Sequence, residues 1–458
     1  MKPNNFAFSL SIILAASLLT ACGDSDKSTH VETTPENTQE IVTDTIKDYN
    51  QLTYDELEVL AYEGDLQAQV ALATMLEYGN DDVKQDFQEA FDWYQMASDV
   101  GNVDATCALG YFYLTGTYVD KDLDKANECF TLALEGGSVN ANVGLGRVIL
   151  ETLTDEDMAK YSIPPKVQVL ETEETEEGQD AGQEESAEES IGDASVIEEA
   201  IPENEQTSNE NIVDFEHLSP EDLEELAEDP IYLSIGQCFE YFTTAATAGD
   251  LDGTYYMGYM YEHGLGCQGS YETALEFYNA ASYSDSTLLS DQLAINMSDN
   301  AIGVLNVKGY LAESSTESAL EHFKKASDNG YPRSSYYLGQ IYEKGIGVDK
   351  DYQKALEYYL LAADYRFAPA LNQMGYMYYN GLGVNVDFAT AVYYQKMAAL
   401  QGYTPAQVNL GFLYENGYGV ERNLETALEY YEMASEKGFE GAEEAVTRVR
   451  AQINEEES

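Results

Sequence analysis

The residues best placed for chemistry lie in one short stretch, His263 to Gly269. Its glycines match the pattern G-x-G-x-x-G, with which dinucleotide-binding loops bring their backbone close to a pyrophosphate. Such a loop follows a β-strand, whereas a helical pattern precedes this one, and its first two glycines recur elsewhere in the chain as a turn. The sequence therefore predicts a turn here and not a phosphate site.

Nucleophilic and metal chemistry find little more support. His263 and Cys267 share that turn, but a Cys–His nucleophile needs a third, orienting group, and nothing near them in the sequence suggests one. The 4 histidines show no metal-ligand spacing, and 84 Asp and Glu residues make any carboxylate pair uninformative. We predict no catalytic residue, no metal and no cofactor. An envelope enzyme, acting for example on the cell wall, is kept as an alternative.

The charge of the chain argues against two classes of partner. With 22 Lys and Arg against 84 Asp and Glu, the net charge is −62. Nucleic-acid binding depends on basic side chains that neutralise phosphates, and anionic lipid surfaces repel such a chain. We therefore predict no nucleic-acid partner and favour a cationic one.

A repeat of 36 residues organises most of the sequence. Gly339, Gly375 and Gly411 are 36 residues apart, and each is followed by a second glycine after six residues and by an alanine after sixteen. A fixed period of this size is typical of stacked helical hairpins. Apolar residues at helical spacing, a glycine turn and a capping Asp predict two antiparallel helices per unit.

The same offsets recover five earlier units. Four are marked by Ala73, Gly110, Gly258 and Gly303, and the fifth is interrupted, because Gly146 meets its second-helix pattern only at Cys238–Tyr241. We predict an all-α fold, a right-handed α-solenoid of about eight hairpins. Helices at the two ends, Tyr54–Glu63 and Gly441–Asn454, would close it.

The interruption is an acidic insert within one hairpin. Between Glu171 and Pro230 there are 24 Asp and Glu and no Lys or Arg. Such a composition cannot bury enough apolar surface to order itself, so residues 151–230 are predicted to be mostly disordered. A helix-start pattern at Ser219–Pro220 is the local exception. The insert is either a solvated spacer or a docking element for a cationic partner or ion.

The N-terminus has the pattern of an export signal. An apolar run from Phe6 to Leu19 is too short to span a bilayer, and Leu19-Thr20-Ala21-Cys22 resembles the bacterial lipobox. The resemblance implies that residues 1–22 form a lipoprotein signal peptide, which is cut before a lipid-bearing Cys22. It also implies a place in the bacterial envelope, at the outer membrane if the cell is Gram-negative. An ordinary signal peptide is the alternative. Residues 23–50 are polar and are predicted to be a flexible tether.

The repeat pattern resembles the Sel-1-like repeat, a relative of the tetratricopeptide repeat. The pattern is clearest in Met374-Gly375, Gly381-Leu382-Gly383-Val384 and Ala391-Val392, and the likeness covers about Gln67–Phe439 outside the insert. It implies a non-catalytic, monomeric adaptor that binds a protein or peptide. The repeats would occupy residues 51–150 and 231–440, followed by a cap and acidic tail at 441–458.

By similarity to tetratricopeptide repeats, one face of each first helix lines a concave groove. Positions three before, one after and four after the key glycine share that face. Aromatic residues interleaved with acids there suit a peptide with basic and apolar side chains, although the aromatic residues could equally be core. The predicted groove residues are Tyr111, Tyr255, Tyr259, Glu262, Tyr336, Gln340, Glu343, Asn372, Tyr376, Tyr379, Phe412 and Glu415.

The resemblance also bears on the cysteines, because some secreted members of the family carry one disulfide per repeat. Only Cys107 and Cys129 fall within one unit, on its first and second helices. A disulfide between them is the candidate that the likeness implies in an oxidising envelope, and two buried thiols are the alternative.

Overall fold

The structure is a computed structural model that describes residues 49–79, 82–165, 225–286 and 288–456. The predictions for residues 1–22 with Cys22, for almost all of the tether, and for the acidic stretch with Ser219–Pro220 lie outside these ranges. The described residues form helices and no strand. The predicted all-α fold of repeated hairpins is confirmed.

The chain divides into two compact units. We call residues 49–165, 225–281 and 285–292 the N-terminal unit, and residues 282–284 and 293–456 the C-terminal unit. After a short 3-10 turn at Tyr49–Gln51, the N-terminal unit contains α1 Tyr54–Tyr62, α2 Leu66–Tyr78, α3 Phe87–Asp99, α4 Val103–Thr115, α5 Leu123–Glu135, α6 Asn140–Thr152, α7 Asp155–Tyr161, α8 Pro230–Thr247, α9 Leu251–His263 and α10 Tyr271–Ser282, whose last residue belongs to the other unit.

The C-terminal unit continues the same alternation of long helices. It begins within α11, whose first residues belong to the N-terminal unit, and ends with the closing helix α19. Its helices are α11 Leu289–Val307, α12 Thr316–Asp328, α13 Pro332–Lys344, α14 Tyr352–Asp364, α15 Ala368–Asn380, α16 Phe388–Ala399, α17 Thr404–Asn416, α18 Leu424–Glu436 and α19 Ala442–Glu456.

Each hairpin turns at a glycine and restarts at a capping side chain. The first helices α13, α15 and α17 end at glycines with left-handed backbone, such as Gly417 with φ 72°. The second helices begin at Asp or Asn residues whose side chains accept backbone hydrogen bonds. The second glycine of the turn is fixed by packing, because a Cβ on Gly419 would lie 2.2 Å from the carbonyl oxygen of Phe388.

The glycine that sets the 36-residue period packs against an aromatic ring from the second helix of the same hairpin. A Cβ on Gly339 would lie 2.5 Å from Cε1 of Tyr359, whose side chain is fully buried. The same contact recurs in both units, so the glycine is needed for close approach of the two helices rather than for a turn. The other pairs are Gly110–Phe130, Gly146–Phe242, Gly258–Tyr278, Gly303–Phe323 and Gly411–Tyr431.

The interrupted hairpin forms as the sequence predicts. Helix α6 packs against α8, with the ring of Phe242 on Gly146 and the thiol of Cys238 donating to the carbonyl oxygen of Gly146 at 3.3 Å. The chain between them can leave and return without breaking this contact, because insertions in helical repeats map to the loops.

The first residues of the segment 151–230, predicted to be mostly disordered, form helix α7 and a short extension of it. Helix α7 starts with a capping box at Thr154, and the hydroxyl of Tyr161 donates to Asp229 at 2.5 Å. Beyond it, Ile163 exchanges backbone hydrogen bonds with Gly264 and Gly269, at 2.9 and 2.8 Å. The buried Tyr161 and these backbone bonds explain the order that acidity alone did not predict.

The first and last helices each bury apolar side chains. Leu57 and Ala61 of α1 are buried at one end, and Val446 and Val449 of α19 at the other. None of the helices in the described ranges is long and apolar enough to cross a membrane.

Candidate functional site

Four of the predicted groove residues are buried, and for them the prediction of an open surface is wrong. Tyr336, Gln340, Glu343 and Glu415 are 9%, 2%, 8% and 8% exposed. Tyr336 packs on the rings of Tyr359 and Phe367, and Gln340 donates to the hydroxyl of Tyr336 at 3.0 Å. Glu343 and Glu415 accept hydrogen bonds from Tyr359 and Tyr431 of the following helices, so the burial is not confined to one of the three predicted positions.

The position four after the key glycine has a defined internal role. Its Glu accepts a hydrogen bond from a Tyr on the second helix, sixteen residues later in three hairpins and seventeen residues later in the first. The tyrosine hydroxyl lies 2.5 to 2.9 Å from the carboxylate in Glu77–Tyr94, Glu262–Tyr278, Glu343–Tyr359 and Glu415–Tyr431. In three other hairpins the same two positions hold an aliphatic residue and Phe, in Leu114–Phe130, Leu150–Phe242 and Val307–Phe323. The residue types at the two positions change together, which was a signal in the sequence that the groove interpretation missed.

Two of these glutamates have opposite electrostatic surroundings. Burial raises the pKa of Glu343, and hydrogen bonds from Tyr359 and Gln373 oppose the rise. Burial also acts on Glu415, but hydrogen bonds from Arg448 and Tyr431 outweigh it and lower its pKa. Arg448 belongs to α19, so the last carboxylate is neutralised by the closing helix.

One hairpin breaks the pairing rule. In α15 and α16 the two positions hold Tyr379 and Gln395. Gln395 is 2% exposed; its amide donates to the carbonyl oxygen of Asn372 at 3.0 Å, and its own Oε1 has no hydrogen-bond partner. The aromatic ring has thus moved from the core position of the second helix to the first helix.

The displaced ring joins three others at the turns of the last two hairpins. Tyr379 lies 5.2 Å from Phe388, 6.1 Å from Phe412 and 5.7 Å from Tyr418 between ring centroids. Phe388 and Tyr418 are 5.1 Å apart, and Phe412 and Tyr418 are 5.9 Å apart. All four residues are half-buried. We call these four residues the Tyr379 cluster.

The other predicted groove residues are half-buried, and their role in binding stays a prediction. The ring of Tyr111 lies 4.9 Å from that of Phe130, and Tyr259 stacks on His263 at 4.0 Å. Tyr255 contacts Tyr278 at 5.5 Å, and Asn372 accepts a hydrogen bond from Asn409. Glu262, Tyr376, Tyr379 and Phe412 complete this half-buried set.

Arg147 and Asp252 are two charged residues that influence each other electrostatically and that the sequence interpretation missed. Arg147 follows the key glycine of the interrupted hairpin, and its guanidinium lies 5.6 Å from the ring of Tyr111 and 5.9 Å from that of Tyr256. Burial raises the pKa of Asp252 to about 7; Asp250 adds to the rise and Arg147 opposes it. Applying the groove offsets to the interrupted hairpin would have identified Arg147.

The residues considered for chemistry are otherwise engaged. Nδ1 of His263 is hydrogen-bonded to the carbonyl oxygen of Tyr259 at 3.0 Å. The thiol of Cys267 donates to the carbonyl oxygen of Met260 at 3.6 Å, so His263 and Cys267 each have another partner. The backbone of Ile163 is hydrogen-bonded to the backbone of Gly264 and Gly269, in the loop where a phosphate would bind. No cluster of three metal-ligating side chains occurs within the described ranges.

A Ser, a His and an Asp do meet in the C-terminal unit, around the fully buried Asp299. Its carboxylate binds Nδ1 of His322 at 2.8 Å, the hydroxyl of Ser282 at 2.7 Å and the ammonium of Lys325 at 2.9 Å. Ser282 is 2% exposed and donates to Asp299, so no base takes its proton and no substrate reaches it. The arrangement is a structural ion pair and not a catalytic triad.

The thiols of Cys107 and Cys129, the candidate disulfide pair, are both free in the structure. Cys107 packs in a core cluster with Phe130 and Ala141, whereas Cys129 packs against the preceding cluster with Leu109 and Phe112. The two thiols therefore pack in different hydrophobic clusters of the core.

Comparison with known protein structures returned matches of low sequence identity and low TM-score. A Sel1 repeat protein from Oxalobacter formigenes is 19% identical, covers 91% of this chain and 98% of its own, and gives a TM-score of 0.45. A protective antigen of uropathogenic Escherichia coli with an SLR fold is 20% identical, with 88% and 91% covered and a TM-score of 0.31. The immunity protein Pa5087 from Pseudomonas aeruginosa is 17% identical, with 48% and 83% covered and a TM-score of 0.32. No match was found among curated proteins.

The family model described as Sel1 repeat matches eight segments, 66–102, 103–138, 234–250, 251–286, 300–331, 332–364, 368–403 and 404–439. They follow the hairpins of the structure, and the short third match begins within α8, where the interrupted hairpin resumes. Because these segments make up more than half of the chain, the protein belongs to the Sel1 repeat family.

Proposed function

We propose that this protein is a non-catalytic scaffold of the bacterial envelope that binds a protein or peptide partner along its first helices. Sel1 repeat proteins act as protein–protein interaction scaffolds. The observation that carries the proposal to this chain is the row of half-buried aromatic residues one position after the key glycine, Tyr111, Tyr259, Tyr376 and Phe412. Half-buried aromatic residues can add contact area to a partner with little loss of side-chain entropy.

The net charge of −62 supports a partner with basic and apolar side chains. The lipobox-like sequence ending at Cys22 supports a lipid anchor, and the protein would act as a monomer held at the membrane only through that lipid.

A photo-crosslinking residue at position 376 is expected to trap a discrete protein in intact cells. Tyr376 lies on α15, and the change Tyr376→p-benzoylphenylalanine places the reactive group on the proposed binding face. The matched control is position 393 on α16 of the same hairpin, where Tyr393 is 59% exposed. Gel electrophoresis after irradiation should show a specific adduct only for position 376. Equal adducts at both positions, or none at 376, would argue against binding along the first helices.

The same assay addresses the acidic insert as the docking element. Deleting residues 166–224 should leave the adduct at position 376, because α6 and α8 pack directly on one another. Loss of the adduct in this variant, with circular dichroism unchanged, would assign the binding to the insert instead.

The change Cys22→Ala is expected to move the protein from the membrane fraction to the soluble envelope fraction, because the lipid is the proposed attachment. Incorporation of labelled palmitate should fall to background in the same variant. A variant that stays in the membrane pellet, or a parent chain that takes up no label, would contradict the lipid anchor.

A further inference from the structure

The geometry points to the Tyr379 cluster as the place where the scaffold holds a basic side chain of its partner, an arginine or lysine flanked by apolar residues. This inference rests on the proposed function and specifies the chemistry that the binding face recognises. It follows from three observations: the broken pairing rule, the arrangement of the rings and the charge around them.

The first observation is that the hairpin of Tyr379 departs from the pairing rule of the other hairpins. Seven hairpins place Glu with Tyr, or an aliphatic residue with Phe, at the two paired positions, whereas this hairpin has Tyr379 and Gln395. The buried Oε1 of Gln395 is left without a hydrogen-bond partner. A buried amide oxygen without a hydrogen-bond partner destabilises the fold. Departures from a rule that stabilises the fold are expected where a residue serves function instead.

The second observation is that the rings come from four separate segments and converge. Tyr379 lies in the last turn of α15, Phe388 begins α16, Phe412 lies on α17 and Tyr418 lies in the turn after it. The ring of Tyr379 stands at 74° to those of Phe412 and Tyr418. Faces and edges therefore meet at steep angles, and part of the aromatic surface remains exposed. A cation is attracted to ring faces within about 6 Å.

The third observation is the sign of the charge near the rings. Asp387, the capping residue directly before Phe388, and Glu421, three residues after Tyr418, are both exposed. Arg422 of the same turn is engaged, since it donates to the carbonyl oxygen of Glu415 and to the carboxylate of Glu456. With a chain charge of −62, the aromatic surface suits a cationic side chain and disfavours an acidic one.

The test restores the pairing rule by the double change Tyr379→Glu and Gln395→Tyr. Selection of a randomised dodecapeptide phage library on the full-length protein should enrich peptides with Arg or Lys among apolar residues. Synthetic copies of the enriched peptides should bind the double variant about tenfold more weakly, as measured by fluorescence anisotropy, because a cation–π contact contributes about 0.5–2 kcal/mol. The same variant should unfold at a higher temperature, which separates lost binding from lost folding.

Two controls sharpen the result. Replacing the selected Arg by citrulline, which keeps its shape without its charge, should weaken binding to the parent protein by a similar factor. Tyr393→Ala should leave the affinity unchanged. Enriched acidic peptides, or peptides that bind the double variant and the parent equally, would overturn the inference while leaving the proposed function intact. A library that yields no binder would overturn both.

Discussion

Replacing Tyr359 by alanine is expected to destabilise the C-terminal unit by about 3–5 kcal/mol, the range for removal of a large buried aromatic side chain. The ring is fully buried on Gly339, and its hydroxyl donates to Glu343 at 2.5 Å. The change leaves a cavity and removes one of the two donors of a buried carboxylate. Urea unfolding followed by circular dichroism measures the loss.

The matched control for this prediction is Tyr393→Ala, which removes the same side chain from a 59% exposed position and should cost far less. Tyr359→Phe separates the two contributions, since it keeps the ring and should cost about 1–3 kcal/mol for the unsatisfied Glu343. Equal losses for Tyr359→Ala and Tyr393→Ala would contradict the assignment of this ring as the centre of the hairpin.

The architecture could be predicted from the sequence because the same local signals for helices and turns recur in each repeat. The offsets from Gly339 located every hairpin, including the one in which α6 and α8 are separated in the chain. Glycine at the turn and Asp at the next helix start are local requirements, so they are visible without knowing any long-range contact. Each hairpin can therefore be predicted from the sequence of its own unit.

The binding face was harder to predict, because periodicity identifies a face of a helix and not the neighbour that covers it. Glu343 and Glu415 looked like groove residues on account of their polarity, whereas each accepts a hydrogen bond from a Tyr sixteen residues later. Order at Tyr161 depends on its contact with Asp229, 68 residues away, which composition cannot reveal. The exception at Tyr379 became informative only once the pairing rule was known.

Asp252→Asn is expected to stabilise the N-terminal unit at pH 8 by about 2–4 kcal/mol and to have little effect at pH 4. Burial and the neighbouring Asp250 raise the pKa of Asp252 from 3.8 to about 7, and each pKa unit corresponds to about 1.4 kcal/mol. A raised folded-state pKa favours the protonated form. The contribution of the Asp252 carboxyl group to the free energy of unfolding is thus fully present below pH 3.8 and is lost as the pH rises through about 7.

The measurement can be made on one unit alone, because the single Trp of the chain, Trp93, lies on α3 of the N-terminal unit. Urea unfolding followed by its fluorescence at pH 4, 6 and 8 should show the variant gaining stability over the parent between pH 4 and 7. Asp104→Asn is the matched control, since Asp104 occupies the same second position of α4 and is exposed. A difference between variant and parent that does not change with pH would contradict the raised pKa.

The outcome also bears on why the residue is present. The charged groups that act on Asp252 are Asp250, Asp291 and Arg147, and Asp252 in turn raises the pKa of Tyr78 and Tyr111. Asn would keep the shape of the side chain and remove the cost of its ionisation, so folding alone gives no reason for Asp at this position. A stabilised Asp252→Asn protein would therefore show that the N-terminal unit keeps a carboxylate beside Arg147 and Tyr111 against its own stability, as expected where a surface serves binding.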